Sequence, residues 1–278
     1  MHPALPPPNW LDATLKALGF AALLVLILAA VGLLGAPLLA LLWRSIEHGA
    51  WRMPLDPVVW QAVRLSAQTT AFSLFFIVLL GTPLAYALAR WRFFGRRWLN
   101  TLVELPIVLP PAVAGLGLLV AFGRRGIFGA ELAELGIRLP FTTAAVVMAQ
   151  VFVALPFYVR AAILGFRVVD VEVEQAALVD GASRLLRFVY VTLPLSRRAL
   201  LSGLLMSAAR ALGEFGATIF FGGSLPGRTQ TMTLLIYNTF ERDINAAVWT
   251  AVLLLGVAAA VVFLTRLLLR EDAPAEPR

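Results

Sequence analysis

The chain has 278 residues, of which 60% are hydrophobic and 14% charged, with a formal net charge of +7. A soluble domain of this size would lack a polar surface at that composition, which points to a membrane-embedded protein. With no cysteine, and with His2 and His48 as the only histidines, thiolate chemistry, disulfides and a metal site built on paired histidines are excluded.

The first element is Ala17 to Trp43, which contains no Asp, Glu, Lys or Arg. As a helix it is long enough to cross a hydrocarbon core of about 30 Å. It exceeds a signal-peptide core of about 7–15 residues and no small-residue cleavage site follows a short one, so it reads as a retained span. Leu65 to Ala89 is equally free of charge, and further spans are predicted over 99–122, 141–159, 199–221 and 246–264. These segments are roughly twice the length of a barrel strand, and lipid admits only helices or closed barrels. The expected fold is therefore all-α, a polytopic membrane bundle of about six transmembrane helices. It would have a tail over 1–16, a membrane domain over 17–266 containing a long loop over 160–198, and a tail over 267–278.

Charge sets the orientation. One set of loops carries Lys16, then Arg90, Arg92, Arg96 and Arg97, then Arg160, Arg167, Arg184, Arg187, Arg197 and Arg198, then Arg266, Arg270 and Arg278. The alternate loops dilute Arg44, Arg52, Arg124, Arg125, Arg228 and their neighbours with Glu47, Asp56, Glu131, Glu134, Glu241 and Asp243. By the positive-inside rule both termini and the 160–198 loop are expected in the cytoplasm of a bacterial or archaeal cell, the chain lying in the cytoplasmic membrane. Membrane orientation already explains the positive charge, so no nucleic-acid partner is expected.

Within the third segment, "VELPIVLPPAVAGLG", Pro106, Pro110 and Pro111 with Gly115 and Gly117 rule out a regular helix throughout. A broken helix at depth needs protein or a water-filled cavity to satisfy its carbonyls, which leaves a structural kink and a pathway role both open. In the fifth, "MSAARALGEFGATIF", Arg210 and Glu214 stand four apart on one predicted helix face. They either neutralise one another or, with Gly213 and Gly216, line a route through the membrane. Ala209, Gly213 and Ala217 repeat small residues every four positions, which would allow close helix approach.

The chain lacks the machinery of several enzyme classes. Its only lysine, Lys16, has no Gly-rich approach, so there is no nucleotide-binding P-loop. No G-x-S-x-G or H-E-x-x-H occurs, and the spans supply no catalytic pairs for an intramembrane hydrolase. No metal site and no cofactor of its own are expected.

The long loop contains "EVEQAALVDGASRLLRFVYVTLP". Asp170 is placed to cap a first short helix with Glu172 and Glu174 in its first turn. Gly181 supplies the left-handed position that ends it. Ser183 starts a second helix, and Leu193-Pro194 is expected to stop it. The product is a helical knob whose small Ala176 and Ala177 let another surface come close, which suits docking.

This stretch resembles the cytoplasmic EAA loop of ABC importer permeases, matched by Gln175, Ala176, Ala177, Gly181, Val191, Leu193 and Pro194. Gln175 stands at the usual Glu position with Glu174 just before it, so the acidic contact is expected to be shifted or weaker. The resemblance implies the type I (MetI-like) permease fold and a coupling role for these residues with Glu174 and Asp180. Implied partners are a second permease copy, two cytoplasmic ATPase subunits that use ATP and Mg, and a soluble oxyanion-binding protein. "LPIVLPPAVAGLGLLVAFGRRGIFG" and "ARALGEFGATIFFGGSLPGRTQTMTLLIY" resemble the oxyanion branch of these permeases, the molybdate (or tungstate) permeases most of all, with sulfate/thiosulfate permeases as the alternative. An ATP-independent channel or secondary transporter is the alternative of another class, and the docking loop argues against it. In "GGSLPGRTQT", Arg228 is expected to serve binding-protein docking, on a loop that Gly222, Gly223 and Gly227 should make too flexible for a tight anion cage.

Overall fold

The computed structural model describes residues 9–49 and 57–270, and among them every regular element is a helix. The outer parts of the expected tails, residues 1–8 and 271–278, and the loop charges Arg52 and Asp56 lie outside the described residues. The chain divides into two units, Met1–Met53 and Pro54–Arg278.

The first unit contains α1 (Asn9–Glu47), which begins inside the expected N-terminal tail. Its Lys16–Glu47 portion is long and apolar enough to cross a membrane, and it keeps its helical course through Pro37. None of its most apolar stretch is buried in protein, as expected of a helix solvated by lipid.

In the second unit, α2 (Pro57–Arg90) and α6 (Thr143–Val168) are also long and apolar enough to span. The most apolar stretch of α6 is 56% buried against 28% for α2, so α6 is the central post. Ile77, Ala85 and Leu88 of α2 meet Tyr158, Ala162 and Phe166 of α6 in one buried cluster. On its other side α6 crosses α9 (Leu193–Leu212) closely, because glycines remove the side chains at the crossing. A Cβ on Gly165 would lie 2.6 Å from that of Ala199, and one on Gly203 would lie 2.7 Å from that of Ala161. Buried hydroxyls find partners inside the bundle: Ser73 donates to Gln150 Oε1 at 2.8 Å and Ser207 to the Ala154 carbonyl at 2.9 Å.

Two of the expected spans are broken. The segment over 99–122 is two helices, α3 (Arg96–Val108) and α4 (Pro111–Phe122), bent by 118°. Leu109 and Pro110 take extended ψ values of 131° and 134°, as residues that precede proline must. Pro106 sits inside α3, and Gly115 and Gly117 lie within regular α4, so the double proline alone makes the break. The segment over 199–221 is likewise corrected. Helix α9 ends at Leu212 with Gly213 as its cap, and α10 (Gly216–Phe221) starts afresh. Ala209, Gly213 and Ala217 therefore form no continuous stripe. After the short α5 (Gly129–Glu134) and α6 come α7 (Val171–Val179) and α8 (Arg184–Arg187) in the long loop. Downstream of α10, α11 (Met232–Phe240) packs Met232 and Leu235 on Ala62, with Leu253 and Leu254 of α12 (Ile244–Arg270) alongside. Helix α12 thus continues four residues into the stretch expected as C-terminal tail.

Candidate functional site

The knob forms as its capping residues require. The Asp170 side chain accepts the Glu172 N–H at 2.9 Å, and the Ser183 hydroxyl oxygen accepts the Leu186 N–H at 3.3 Å. Gly181 holds φ 87°, and the Ala182 N–H returns to the Ala177 carbonyl at 2.9 Å to close α7. Leu193-Pro194 does not stop the second helix. Residues Phe188–Thr192 form a π turn that runs from α8 directly into α9, and Pro194 follows it as the second residue of α9.

The inner face of the knob is a charged latch. Glu174 is 4% exposed, and its Oε1 accepts from Arg90 at 3.0 Å and from the Thr192 hydroxyl at 2.7 Å. The same Arg90 nitrogen donates to the Val169 carbonyl at 2.8 Å. Beside it, Tyr86, Phe166 and Phe188 form a ring cluster with centroids 5.0–6.0 Å apart, and Arg187 donates to the Tyr86 hydroxyl at 3.1 Å. The Glu174 carboxylate turns inward onto Arg90 and Thr192. The outer face is left to Gln175, Ala176, Asp180 and Gly181, all exposed, with Ala177, Val191 and Leu193 half-buried and Pro194 exposed at the base. Val179 and Leu185 stand 87% and 71% exposed on this face, apolar side chains with no cover among the described residues.

A second site forms where the two broken helices meet. A Cβ on Gly115 of α4 would lie 2.6 Å from the Ala217 carbonyl oxygen, and one on Gly216 would lie 2.6 Å from Pro111 Cβ. The backbones of α4 and α10 therefore touch directly. Glu214 sits in the gap between α9 and α10, fully buried. Its Oε1 accepts the Ala217 N–H at 2.7 Å and its carbonyl accepts the Thr233 hydroxyl of α11 at 2.9 Å. Oε2 lies 2.6 Å from an Arg210 nitrogen, an ion pair. The Arg210 side chain is 28% exposed and Gly213 is exposed beside it. Arg210 and Glu214 are thus paired as the spacing suggested, but across a helix end and not along one helix face.

The loop around Arg228 is more ordered than its glycines suggest. Gly223 and Gly227 hold φ 69° and 71°, which fix turns. Leu225 donates to Thr229 Oγ1 and accepts from the N–H groups of Arg228, Thr229 and Gln230. Thr143 on α6 donates to the Arg228 carbonyl at 2.9 Å. Arg228 itself is exposed, while Thr229, Gln230 and Thr231 are buried. No group of three or more metal-ligating side chains occurs among the described residues.

A family model described as "Binding-protein-dependent transport system inner membrane component" matches residues 77–271, which takes in both sites. The chain belongs to this family. As a binding-protein-dependent transport component it is a multi-pass inner-membrane protein. It is 41% identical over 264 residues to the molybdenum transport system permease protein ModB of Mycobacterium tuberculosis, covering 94% of this chain and 95% of that one. It is 34% identical over 209 residues to the sulfate transport system permease protein CysW of Synechococcus elongatus, covering 75% and 73%. In fold it is similar to a bacterial ABC transporter involved in the import of the acidic polysaccharide alginate, with a TM-score of 0.75, 16% identity, and 96% of this chain and 99% of that one covered. The helical architecture is that of type I (MetI-like) ABC importer permeases.

Sequence reasoning missed Arg90, Thr192, Tyr86 and Thr233 as members of these sites. Arg90 is 84 residues from Glu174, and no local pattern links the two. The one available signal was Thr192 itself, a hydroxyl in an otherwise apolar "FVYVTLP" run.

Proposed function

We propose that this chain is the membrane subunit of an ABC importer for molybdate or tungstate, and that it performs no catalysis itself. Two copies would form the pathway, with both termini and the knob in the cytoplasm. Two separate ATPase subunits would bind ATP and Mg, and a soluble binding protein would deliver the oxyanion. The observation that carries this reading is the knob: an exposed outer face, with Val179 and Leu185 among its residues, on a helix pair whose inner face is held by buried hydrogen bonds. A surface built in that way can transmit a push from an ATPase into α2, α6 and α9 instead of absorbing it. The molybdenum permease relative, at 41% identity over nearly the whole chain, supplies the substrate class, and the more distant sulfate relative makes sulfate the alternative.

The mechanism proposed is alternating access. ATP-driven closure of the ATPases moves the knob, and the latch carries that motion to α2. Helix α9, continuous with the knob, carries it to the break at Gly213. The α4–α10 crossing is where such a motion can open or close a route, because two short helices in backbone contact slide more readily than two long ones. No tight oxyanion cage of arginines occurs among the described residues of the spans, which suits selectivity residing in the binding protein. Arg228, exposed on an ordered loop, serves to steer or dock that protein.

The test is uptake of radiolabelled molybdate in cells whose own permease is deleted, with tungstate and sulfate as competitors. Gly181→Asp meets no neighbour but strains a left-handed backbone at the end of α7, so the chain should still insert while the altered knob uncouples ATP hydrolysis from uptake. Normal uptake with the ATPase still bound would reject the coupling role. Competition by sulfate and not by tungstate would move the substrate to the alternative.

A further inference from the structure

Between the turn after α2, the start of α3 and the last turns of α6 lies an open basin of about 930 Å³ that neither site above uses. It is lined by Arg92, Arg96, Arg97, Arg160 and Arg167 against one carboxylate, Glu104. Two of these cations are committed within the protein. Arg96 donates to the Leu88 carbonyl at 2.7 Å, and Arg160 stands 4.0 Å from Glu104, which also accepts from Asn100. Arg92, Arg97 and Arg167 are exposed and have no acceptor among the described residues. Three exposed guanidinium groups lining one basin give it a positive potential that favours an anion.

The basin has a second chemistry. Phe94 is fully exposed at its rim and Trp98 is 80% exposed, side chains that suit the headgroup level of a bilayer. Trp98 and Thr101 also line a neighbouring apolar slot of about 410 Å³, which continues along α3 over Leu99, Leu102 and Leu105. Trp98, Leu102 and Leu105 recur at helical spacing, so one stripe of α3 faces outward as an apolar rail.

The geometry points to a binding site for an anionic phospholipid, its phosphate on Arg92, Arg97 and Arg167 and an acyl chain along Trp98, Leu102 and Leu105. A free inorganic oxyanion would use the basin and leave the slot empty. A diacyl lipid uses both, and the two meet at Trp98. Basic pockets at the cytoplasmic ends of membrane helices take such headgroups on charge grounds alone. Placing the site in the cytoplasmic leaflet rests on the orientation proposed above, whereas the lipid preference itself does not.

The full-length chain assembled with its ATPase is exchanged into detergent containing equal amounts of dioleoylphosphatidylglycerol and dioleoylphosphatidylcholine, and retained lipid is read by native mass spectrometry. The phosphatidylglycerol should be kept in preference to phosphatidylcholine. The triple variant Arg92→Gln, Arg97→Gln, Arg167→Gln should lose that preference by about a hundredfold in binding constant, each charge contributing about fivefold. Equal retention of the two lipids by the unaltered complex overturns the site, whether or not the triple variant assembles. Displacement of phosphatidylglycerol by glycerol 1-phosphate or molybdate reassigns it to a soluble anion. Lipid that binds the isolated permease but leaves when the ATPase docks reassigns the basin to a protein contact. Orientation is read separately, on the permease without its ATPase: because the chain has no cysteine, Val179→Cys should react with an impermeant maleimide only when the cytoplasmic side is opened. A failure there leaves the lipid preference standing and moves its leaflet.

Discussion

Glu174 and Glu214 are both nearly inaccessible carboxylates that face an arginine, yet Glu174 reaches Arg90 across 84 residues while Glu214 stays within one turn of Arg210. The first pair joins elements that the chain would otherwise leave independent, the knob and the end of α2, and Thr192 and the Val169 carbonyl complete it. The second pair joins nothing distant. It mends the gap between α9 and α10 by giving the Ala217 N–H an acceptor and that acceptor a countercharge. Burying an ion pair seldom adds net stability over apolar packing, whereas breaking one is costly. The long-range pair therefore acts as a strap and the local one as a splint, and each should fail in its own way.

The splint should show the largest effect. Arg210→Gln leaves a fully buried carboxylate with the Ala217 backbone N–H as its one hydrogen-bond donor among the described residues, a loss of about 3–5 kcal/mol in thermal or denaturant unfolding of the purified protein. Glu214→Gln alone should also be worse than the double change Arg210→Gln with Glu214→Gln, which recovers most of the loss. Additive single and double effects would mean that the two side chains do not interact. The strap comes next. Arg90→Ala should cost about 2–3 kcal/mol, less because Thr192 still donates to Glu174 at the edge of the bundle. Glu174→Gln keeps an acceptor oxygen for both donors but strips the countercharge from Arg90, so it should cost about 1–3 kcal/mol alone and rescue Arg90→Ala in part. If Arg90→Ala abolishes folding outright while Arg210→Gln is mild, the ranking of strap and splint is reversed.

Gly203→Ala probes the α6–α9 crossing that connects the two regions. Its new Cβ would press on Ala161 and the Tyr158 backbone, so a loss of about 1–3 kcal/mol is expected, measured by the same unfolding. An unchanged midpoint would show that the crossing relaxes freely. The smallest effect belongs to Arg228→Ala, which touches neither region. Stability should move by less than about 0.5 kcal/mol, while the salt dependence of binding-protein association weakens. A large stability change there would make the loop part of the core.

The parts of this molecule that were legible in its sequence are those whose causes are local. Asp170, Ser183 and Gly181 act on backbone groups two or three residues away, and each sits where its chemistry demanded. The double proline at 110–111 likewise had to break a helix, because neither residue has an N–H to donate. Misreadings arose where one residue type has two uses. Pro194 looks the same as a terminator and as the first turn of a new helix, and only the π turn before it tells which. Gly213 within an apolar run reads as a packing residue, yet here it caps α9. The long-range facts were beyond reach for a different reason. Whether Gly165 and Gly203 oppose Ala199 and Ala161, or Arg90 opposes Glu174, depends on the docking of whole helices and leaves no local mark.

The π turn has a geometric consequence for everything downstream. At its end the Leu193 N–H reaches back five residues to the Phe188 carbonyl, one residue further than an α-helix allows. One extra residue in an otherwise continuous rod advances the angular phase of all that follows by about 100°. The knob faces Arg90 with Glu174 and Thr192, and eleven positions after Thr192 the same rod must present Gly203 to α6, then Arg210 to the helix break. The slipped turn sets the clocking between those demands. The length of the 188–192 segment is thus fixed by rotation as much as by reach, and a single deletion there would turn the whole of α9 on its axis while leaving every side chain in it unchanged.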